Sequence, residues 1–151
     1  MKKNKIINKK NKIIQDNIYI EITKSKIKVD KYLKNFYDPS LGGNLVFIGT
    51  VRNKTSNGDL IDYLYYECHK EMALTEIKKI LEKYLSFKNF EKALVVHRIG
   101  KLNPKDIAIL VALANKHRDN IFNTLDSIVK EIKEKVPIWK KEYFNNTSKW
   151  I

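Results

Sequence analysis

The sequence contains one cysteine and three histidines among its 151 residues. The single cysteine, Cys68, excludes an intrachain disulfide and a cysteine-based zinc cluster, and three scattered histidines form no metal-binding motif. Glycine is also scarce, and the one adjacent pair, Gly42 and Gly43, lacks the flanking pattern and the lysine of a phosphate-binding loop. We therefore expect a protein without a bound metal or cofactor.

Long apolar runs are absent as well. No window approaches the roughly 20 apolar residues of a membrane span. No apolar stretch of about 7–15 residues follows the N-terminal lysines, as a secretory signal would require. Hydrophobic residues nevertheless make up 43% of the chain, enough for the core of one domain. The sequence therefore predicts a single-domain cytoplasmic protein that does not contact a membrane.

Acidic residues are few relative to basic ones, with 17 Asp and Glu against 30 Lys and Arg. Six of the lysines fall within residues 1–13, where there is no acidic residue. Without them the chain has 24 basic and 17 acidic residues, so its body is only moderately basic. We predict a flexible basic arm over residues 1–13, with contact to nucleic acid or an acidic partner as the alternative, and a domain over residues 14–151.

Apolar periodicity predicts five strands and two long helices. The predicted strands are Asn17–Ile27, Asn44–Arg52, Leu60–Cys68, the segment KALVVHRIG and Asp106–Ala114. One amphipathic helix is predicted over Lys70–Leu85. A second is predicted to begin after Asn115 as its N-cap and to end at Val136, before Pro137. These elements predict an α+β fold, a single domain with an antiparallel or mixed sheet and two long helices.

The segment NKHRDN carries the first candidate binding site. If Asn115 caps the second helix, His117 and Arg118 lie in its first turn, beside unpaired backbone N–H groups. Cations are electrostatically disfavoured at that end of a helix, and an anionic ligand would explain them. The alternative is that both side chains bend away into solvent.

The segment KEKVPIWKKEYF carries the second candidate. Lys133 lies in the last turn of the predicted helix, where a cation is also favourable for structural reasons alone. Because Pro137 turns the chain, Lys140 and Lys141 belong to a differently directed segment, which we expect Trp139 to hold by burying its indole ring. Lysines gathered in one pocket lower each other's pKa and can exchange protons or bind phosphate and carboxylate groups.

Four further residues lie outside these two segments. Arg52 follows a predicted strand at a polar loop, where it either reaches solvent or offers its guanidinium group to an oxyanion. Cys68 and its neighbour His69 point to opposite faces of a strand, which argues against a nucleophile–base pair. His97 lies inside a predicted strand and is expected to be a hydrogen-bonded core or edge histidine rather than a ligand.

Taken in chain order, four segments resemble one enzyme family. FIGTVRN, YYECHKEM, VVHRIGKLNPKDIAILVALANKHRDNIF and IVKEIKEKVPIWKKEYF are similar to the catalytic (large) subunit of molybdopterin synthase, over about Gly42–Trp150. The most specific parts are the His-Arg pair and the Lys-x-x-x-Pro-x-Trp-Lys block. The resemblance implies an α/β-hammerhead-like fold.

The resemblance also implies a reaction in molybdenum cofactor biosynthesis. Two sulfurs are transferred to cyclic pyranopterin monophosphate, forming the dithiolene of molybdopterin. Each sulfur comes from the thiocarboxylate at the C-terminal Gly-Gly of a small ubiquitin-like carrier subunit. The implied assembly is a heterotetramer, a central homodimer of this subunit with one carrier at each end.

By position, the resemblance assigns catalysis to Lys133 and Lys140. The substrate-binding residues that it implies are Thr50, Val51, Arg52, His117, Arg118, Lys133, Lys140, Lys141 and Glu142. Arg52, His117 and Arg118 are expected to hold the phosphate, and Thr50 and Val51 to contribute backbone groups. Lys149 stands where family members often have arginine, and its role is open because lysine lacks the planar guanidinium fork.

A small RNA-binding α+β module is the alternative from another functional class. The net charge and the eight tyrosines suggest it, because such modules stack bases on exposed aromatics beside basic residues. The tyrosines of LIDYLYYEC, however, neighbour Asp62 and Glu67, which argues against nucleic acid as a partner.

Overall fold

The structure is a computed structural model that describes residues 6–151, in which three helices and ten strands occur. The helices are α1 (Val29–Phe36), α2 (Lys70–Ser86) and α3 (Ile121–Lys135). The strands are β1 (Ile7–Lys9), β2 (Lys12–Gln15), β3 (Ile18–Thr23), β4 (Gly43–Thr50), β5 (Tyr63–Cys68), β6 (Lys92–Arg98), β7 (Gly100–Leu102), β8 (Ile107–Asn115), β9 (Ile138–Phe144) and β10 (Thr147–Trp150). Among residues 6–151, no helix has both the length and the apolar composition to cross a membrane.

The strands form two sheets. The larger sheet has the order β1-β2-β3-β6-β8-β4 and the smaller one the order β10-β9-β5-β7. The larger sheet is mixed, because β3 and β6 run parallel while its other pairs are antiparallel. The predicted α+β fold with two long helices is therefore confirmed.

Both faces of the larger sheet are covered, and the strand period explains how. Val95 of β6 packs with α2 and α3 in the main core, whereas its neighbours Leu94 and Val96 pack with α1 on the other face. Successive side chains of a strand point to opposite faces, so a strand buried on both sides is a continuous apolar run. This accounts for the segments ALVV and AILVALA in β6 and β8.

Helix α2 agrees with the sequence-based prediction, but α3 begins later than predicted. Asn115 is the last residue of β8, where it pairs with Gly43 of β4, and the N-cap of α3 is Asn120. The strand pairing with β4 holds the backbone of Asn115 in extended conformation, which its capping propensity cannot overcome. The predicted end of α3 at Val136 is confirmed.

The predicted flexible arm is replaced by regular structure from residue 7 onward. Strands β1 and β2 form a hairpin that extends the edge of the larger sheet through pairing with β3. Ile13 is buried in the main core, so the expected boundary after residue 13 falls inside β2. Residues 1–5 of the predicted arm lie outside the described part of the chain.

Candidate active site

A cavity of about 460 Å³ lies where the two sheets and the C-terminal end of α3 meet. The larger sheet contributes its floor and the smaller sheet one wall. The polar residues around it are Thr50, Arg52, Tyr66, His97, Lys133, Lys140 and Glu142. The cavity therefore collects the two lysines that begin and end the Lys-x-x-x-Pro-x-Trp-Lys block.

The turn after α3 explains why Lys133 and Lys140 share this cavity. Pro137 follows Val136, whose backbone is extended, and the chain leaves α3 directly into β9. Along β9, Ile138, Lys140 and Glu142 alternate on the cavity side. Lys140 pairs with Tyr66 of β5, which fixes its position on the sheet.

Arg52 reaches the cavity from the end of β4. The register between β4 and β8 shifts between Gly49 and Thr50, and such a bulge re-aims the side chains that follow it. The buried Val51 then donates its backbone N–H to the Asp106 carbonyl, at 2.9 Å. The Val51 carbonyl in turn accepts a hydrogen bond from the Lys105 N–H, also at 2.9 Å, and the expected contact of Val51 with substrate stays a prediction.

The electrostatics of the cavity centre on Lys140. Burial is the largest effect that lowers the pKa of its ammonium group below the ordinary value. The charges of Arg52 and Lys133 lower this pKa further, and the carboxylate of Glu142 opposes them. Two further cations therefore lie within interaction range of Lys140, as the sequence predicted for lysines in one pocket.

Glu142 is the acidic member of the site and is buried. Burial, and after it the charge of Glu142, raises the pKa of Tyr66 above the ordinary value. The carboxylate also lies opposite Lys149 in the pairing of β9 with β10, although Lys149 itself is exposed. A buried carboxylate beside three cations reduces their mutual repulsion and supplies hydrogen-bond acceptors to a bound molecule.

His117 and Arg118 lie away from this cavity within one chain. They are exposed in the turn between β8 and α3, in a separate shallow site with Gly42, Gly43, Lys116 and Asp119. The turn packs so closely that a Cβ atom on Gly43 would lie 3.1 Å from the backbone of His117. The prediction that both residues belong to the first turn of α3 is wrong, because they precede its N-cap.

Lys141 and Trp139 lie on the other face of β9. The ammonium group of Lys141 is 5.3 Å from the ring centre of Tyr143 and 5.2 Å from that of Trp150. Trp139 is 52% exposed, so the expected burial of its ring is wrong. The cause is the period of the strand, which sends the neighbours of Lys140 to the outer surface.

His97 and Tyr66 also line the cavity, although the sequence patterns do not assign them to the site. The Nδ1 atom of His97 lies 2.8 Å from the Arg98 carbonyl oxygen, which agrees with the expected hydrogen-bonded histidine. Both residues stand in segments that carry the family resemblance, but their orientation depends on strand register. Among the described residues, no group of three or more His, Cys, Asp or Glu side chains is placed to hold a metal ion.

Comparison with known proteins identifies the family. The profile of the MoaE protein family matches residues 22–135. The chain belongs to the MoaE family of molybdopterin synthase catalytic subunits. A curated member from Thermoplasma volcanium is 35% identical over 130 residues, which are 86% of this chain and 94% of the relative. The catalytic subunit from Dictyostelium discoideum is 35% identical over 136 residues, 89% of this chain and 85% of the relative.

Solved structures of MoaE relatives have the same fold. Molybdopterin synthase from Staphylococcus aureus superposes with a TM-score of 0.80 at 33% identity, covering 86% of this chain and 94% of that one. The MoaE protein from Burkholderia ambifaria gives a TM-score of 0.74 at 25% identity, covering 87% of each chain. The chain is thus a MoaE protein, an enzyme subunit of molybdenum cofactor biosynthesis, and the family that its sequence segments suggested is confirmed.

Proposed function

We propose that this MoaE protein catalyses the transfer of sulfur from the C-terminal thiocarboxylate of a small ubiquitin-like carrier subunit to cyclic pyranopterin monophosphate. Two transfers produce the dithiolene of molybdopterin. The observation that carries the proposal is the meeting of Lys133, Lys140 and Arg52 at one cavity. Both reactants are anions, and a cavity with three cations is suited to receive them.

The three cations have different tasks in this proposal. Arg52, at the start of the loop that follows β4, binds the substrate phosphate with its guanidinium fork. Lys133 contacts the reacting centre and transfers protons. Lys140 stabilises the oxyanion that develops on the thiocarboxylate carbon, and its lowered pKa suits it to pass protons as well.

A second copy of the chain completes the site in our proposal. His117 and Arg118 are exposed and outside the cavity of their own chain, so they are available to the cavity of a neighbour. Closed two-fold dimers are the commonest assembly of soluble proteins, and a two-fold axis would make the exchange reciprocal. The proposed assembly is a central homodimer with one carrier subunit bound to each protomer.

Mixing two inactive variants tests the shared site. A dimer that pairs a Lys133→Ala protomer with an Arg118→Ala protomer has one cavity with both residues intact, if Arg118 acts on the neighbour. After subunit exchange, about a quarter of the wild-type activity returns, because half of the dimers are mixed and each has one intact site. If both residues act within one chain, mixing restores nothing, and that result refutes the shared site.

The reaction itself is tested by reconstitution. Purified protein is incubated with thiocarboxylated carrier and cyclic pyranopterin monophosphate, and the products are separated and weighed by mass spectrometry. The proposal predicts a pterin product that has gained two sulfurs and a carrier that ends in a carboxylate. Unchanged precursor after prolonged incubation with active carrier would refute the proposed reaction.

The RNA-binding alternative retains one observation in its favour. The outer face of the smaller sheet exposes Trp139, Tyr65 and Trp150 beside Lys141. Stacking of bases on such a surface would be weakened by salt and by removal of Trp139. Titration of a fluorescent single-stranded RNA at increasing salt, with wild type and Trp139→Ala, tests this alternative; no binding at low salt would eliminate it.

A further inference from the structure

The polar groups of the cavity are divided between donors and acceptors. Arg52, Lys133 and Lys140 carry only hydrogen-bond donors when charged. Their ligand must therefore present oxygen or sulfur acceptors on that side. The side-chain acceptors of the cavity include the carboxylate of Glu142 and the imidazole of His97. A ligand that satisfies both sets needs an anionic part and a separate N–H or O–H donor.

The hydrogen bond of His97 fixes which of its ring nitrogens is the acceptor. Nδ1 lies 2.8 Å from the carbonyl oxygen of Arg98, and a carbonyl oxygen can only accept. In the neutral ring the proton therefore resides on Nδ1, and Nε2 carries a lone pair. Burial lowers the pKa of His97 to about 4, so the ring is neutral at physiological pH.

The surroundings hold the imidazole in one orientation. His97 lies in the middle of the larger sheet, paired with Ile22 of β3 on one side and Ile109 of β8 on the other. The ring of Tyr66 meets it edge to face, with 5.2 Å between ring centres. His97 is 8% exposed, and it is one of the residues that line the cavity.

The floor of the cavity beside His97 is formed by Ile109, whose side chain packs over a glycine. Gly49 follows Ile109 in the same row across the sheet, so the row reads Ile22, His97, Ile109 and Gly49. A Cβ atom on Gly49 would lie 2.7 Å from the Ile109 side chain, which is too close. The missing side chain of Gly49 therefore leaves room for Ile109 to pack over it, and Ile109 lines the cavity next to His97 as an apolar surface against which a flat molecule can lie.

We propose that His97 is a specificity-determining residue whose Nε2 accepts a hydrogen bond from a ring N–H of the substrate. This inference rests on the proposed function. The pterin ring system presents N–H donors and the substrate phosphate presents only acceptors. The heterocycle accordingly faces the floor of the cavity while the phosphate faces Arg52 and the two lysines, and a phosphorylated molecule without N–H donors is rejected.

Two variants separate the lone pair from the shape of the ring. His97→Phe keeps a planar ring and loses the acceptor, whereas His97→Gln keeps an acceptor on a flexible side chain. We expect His97→Phe to weaken precursor binding, measured by calorimetry, about tenfold, because a buried donor loses its partner. His97→Gln retains most of the affinity, and the KM for the carrier is unchanged in both. Equal precursor affinity of wild type and His97→Phe would overturn the inference.

A measurement on the wild-type protein covers the case in which a variant does not fold. The ¹⁵N chemical shift of His97 Nε2 is recorded with and without saturating precursor. We expect it to move upfield as the lone pair accepts a hydrogen bond, while Nδ1 stays protonated. An unchanged Nε2 shift with bound precursor overturns the role of His97 and leaves the proposed function intact. Wild-type protein that binds no precursor overturns both.

Discussion

The two faces of strand β9 place neighbouring lysines in opposite environments. Lys140 is half-buried at the cavity, where burial and the charges of Arg52 and Lys133 lower its pKa. Lys141 lies on the outer face above the rings of Tyr143 and Trp150. One residue along the chain thus separates a candidate catalytic group from a surface cation.

Residues close together on helix α3 also lie in different environments. Lys133 lines the cavity, whereas Glu131, two residues earlier, accepts hydrogen bonds from Lys83 and Tyr84 of α2 and joins the two helices. A candidate catalytic residue therefore lies two residues from one that joins two helices of the fold. Residue type and spacing in the sequence therefore indicate which residues are candidates for the site. The periodicity of the helix or strand then determines which of them face the cavity.

The largest expected effect is the loss of Lys133. Lys133→Ala removes the cation that we assign to the reacting centre, and we expect conversion of precursor to fall at least about a hundredfold, the usual size of a lost acid–base or charge-stabilising group. Single-turnover conversion with thiocarboxylated carrier measures it. Lys130→Ala is the matched control, since Lys130 is an exposed lysine of α3 outside the cavity. Equal rates for the two variants would contradict the assignment.

A smaller effect is expected at Arg52, which binds rather than reacts. Arg52→Ala removes charged hydrogen bonds to phosphate, and we expect the precursor Kd to rise about tenfold or more. The rate at saturating precursor should fall less than in Lys133→Ala. Calorimetric titration measures the Kd, with Lys54→Ala as a control of equal charge change. A precursor Kd that does not change would remove Arg52 from the phosphate site.

The hydrogen bonds of Glu131 with Lys83 and Tyr84, which join α3 to α2, should affect the stability of the fold without affecting the reaction. The pKa of Glu131 is lowered to about 2, first by its hydrogen bond from Lys83 and then by that from Tyr84. Because the folded state has the lower pKa, the stabilisation is present above the unfolded value of 4.5 and is lost as the pH falls toward 2. We expect Glu131→Gln to cost about 1 kcal/mol at neutral pH, allowing for solvent screening.

Urea unfolding at several pH values measures this cost. The difference between wild type and Glu131→Gln should shrink as the pH falls below 4.5, and the conversion rate should match that of wild type. A difference that stays constant down to pH 2 would show that the ionised carboxylate is not its source.

The smallest expected effect is a change in the pKa of Lys140. The charges of Arg52 and Lys133 lower this pKa, so Arg52→Ala should raise it, while burial keeps it below the ordinary lysine value. NMR titration of the Lys140 side chain measures the change. A pKa that is unaltered in Arg52→Ala would mean that the two groups do not interact across the cavity.

Sequence patterns predicted the helices correctly where the local preference of a segment and its burial in the fold favour the same structure. The amphipathic pattern predicted α2 to within one residue of its end, and Pro137 marked the end of α3. The start of α3 was missed because Asn115 is held by pairing with Gly43, a contact between residues far apart in sequence. No local pattern contains that pairing.

The candidate site was predictable in its residue types and only partly in its geometry. Lys133, Lys140 and Arg52 meet as expected, because Pro137 reverses the chain and β4 ends beside the loop. Lys141 and Trp139 do not join them, since the sequence could not tell which face of β9 would cover the cavity. The place of His97 depends on the lateral order of β3, β6 and β8, which follows from the whole fold.

The most direct test compares the two adjacent lysines of β9 in one assay. Lys140→Ala and Lys141→Ala are assayed side by side for single-turnover conversion of cyclic pyranopterin monophosphate by thiocarboxylated carrier. The account predicts a loss of about a hundredfold or more for Lys140→Ala, as for other charge-stabilising groups, and a rate within about threefold of wild type for Lys141→Ala. Equal losses in both variants, or a larger loss in Lys141→Ala, would contradict it.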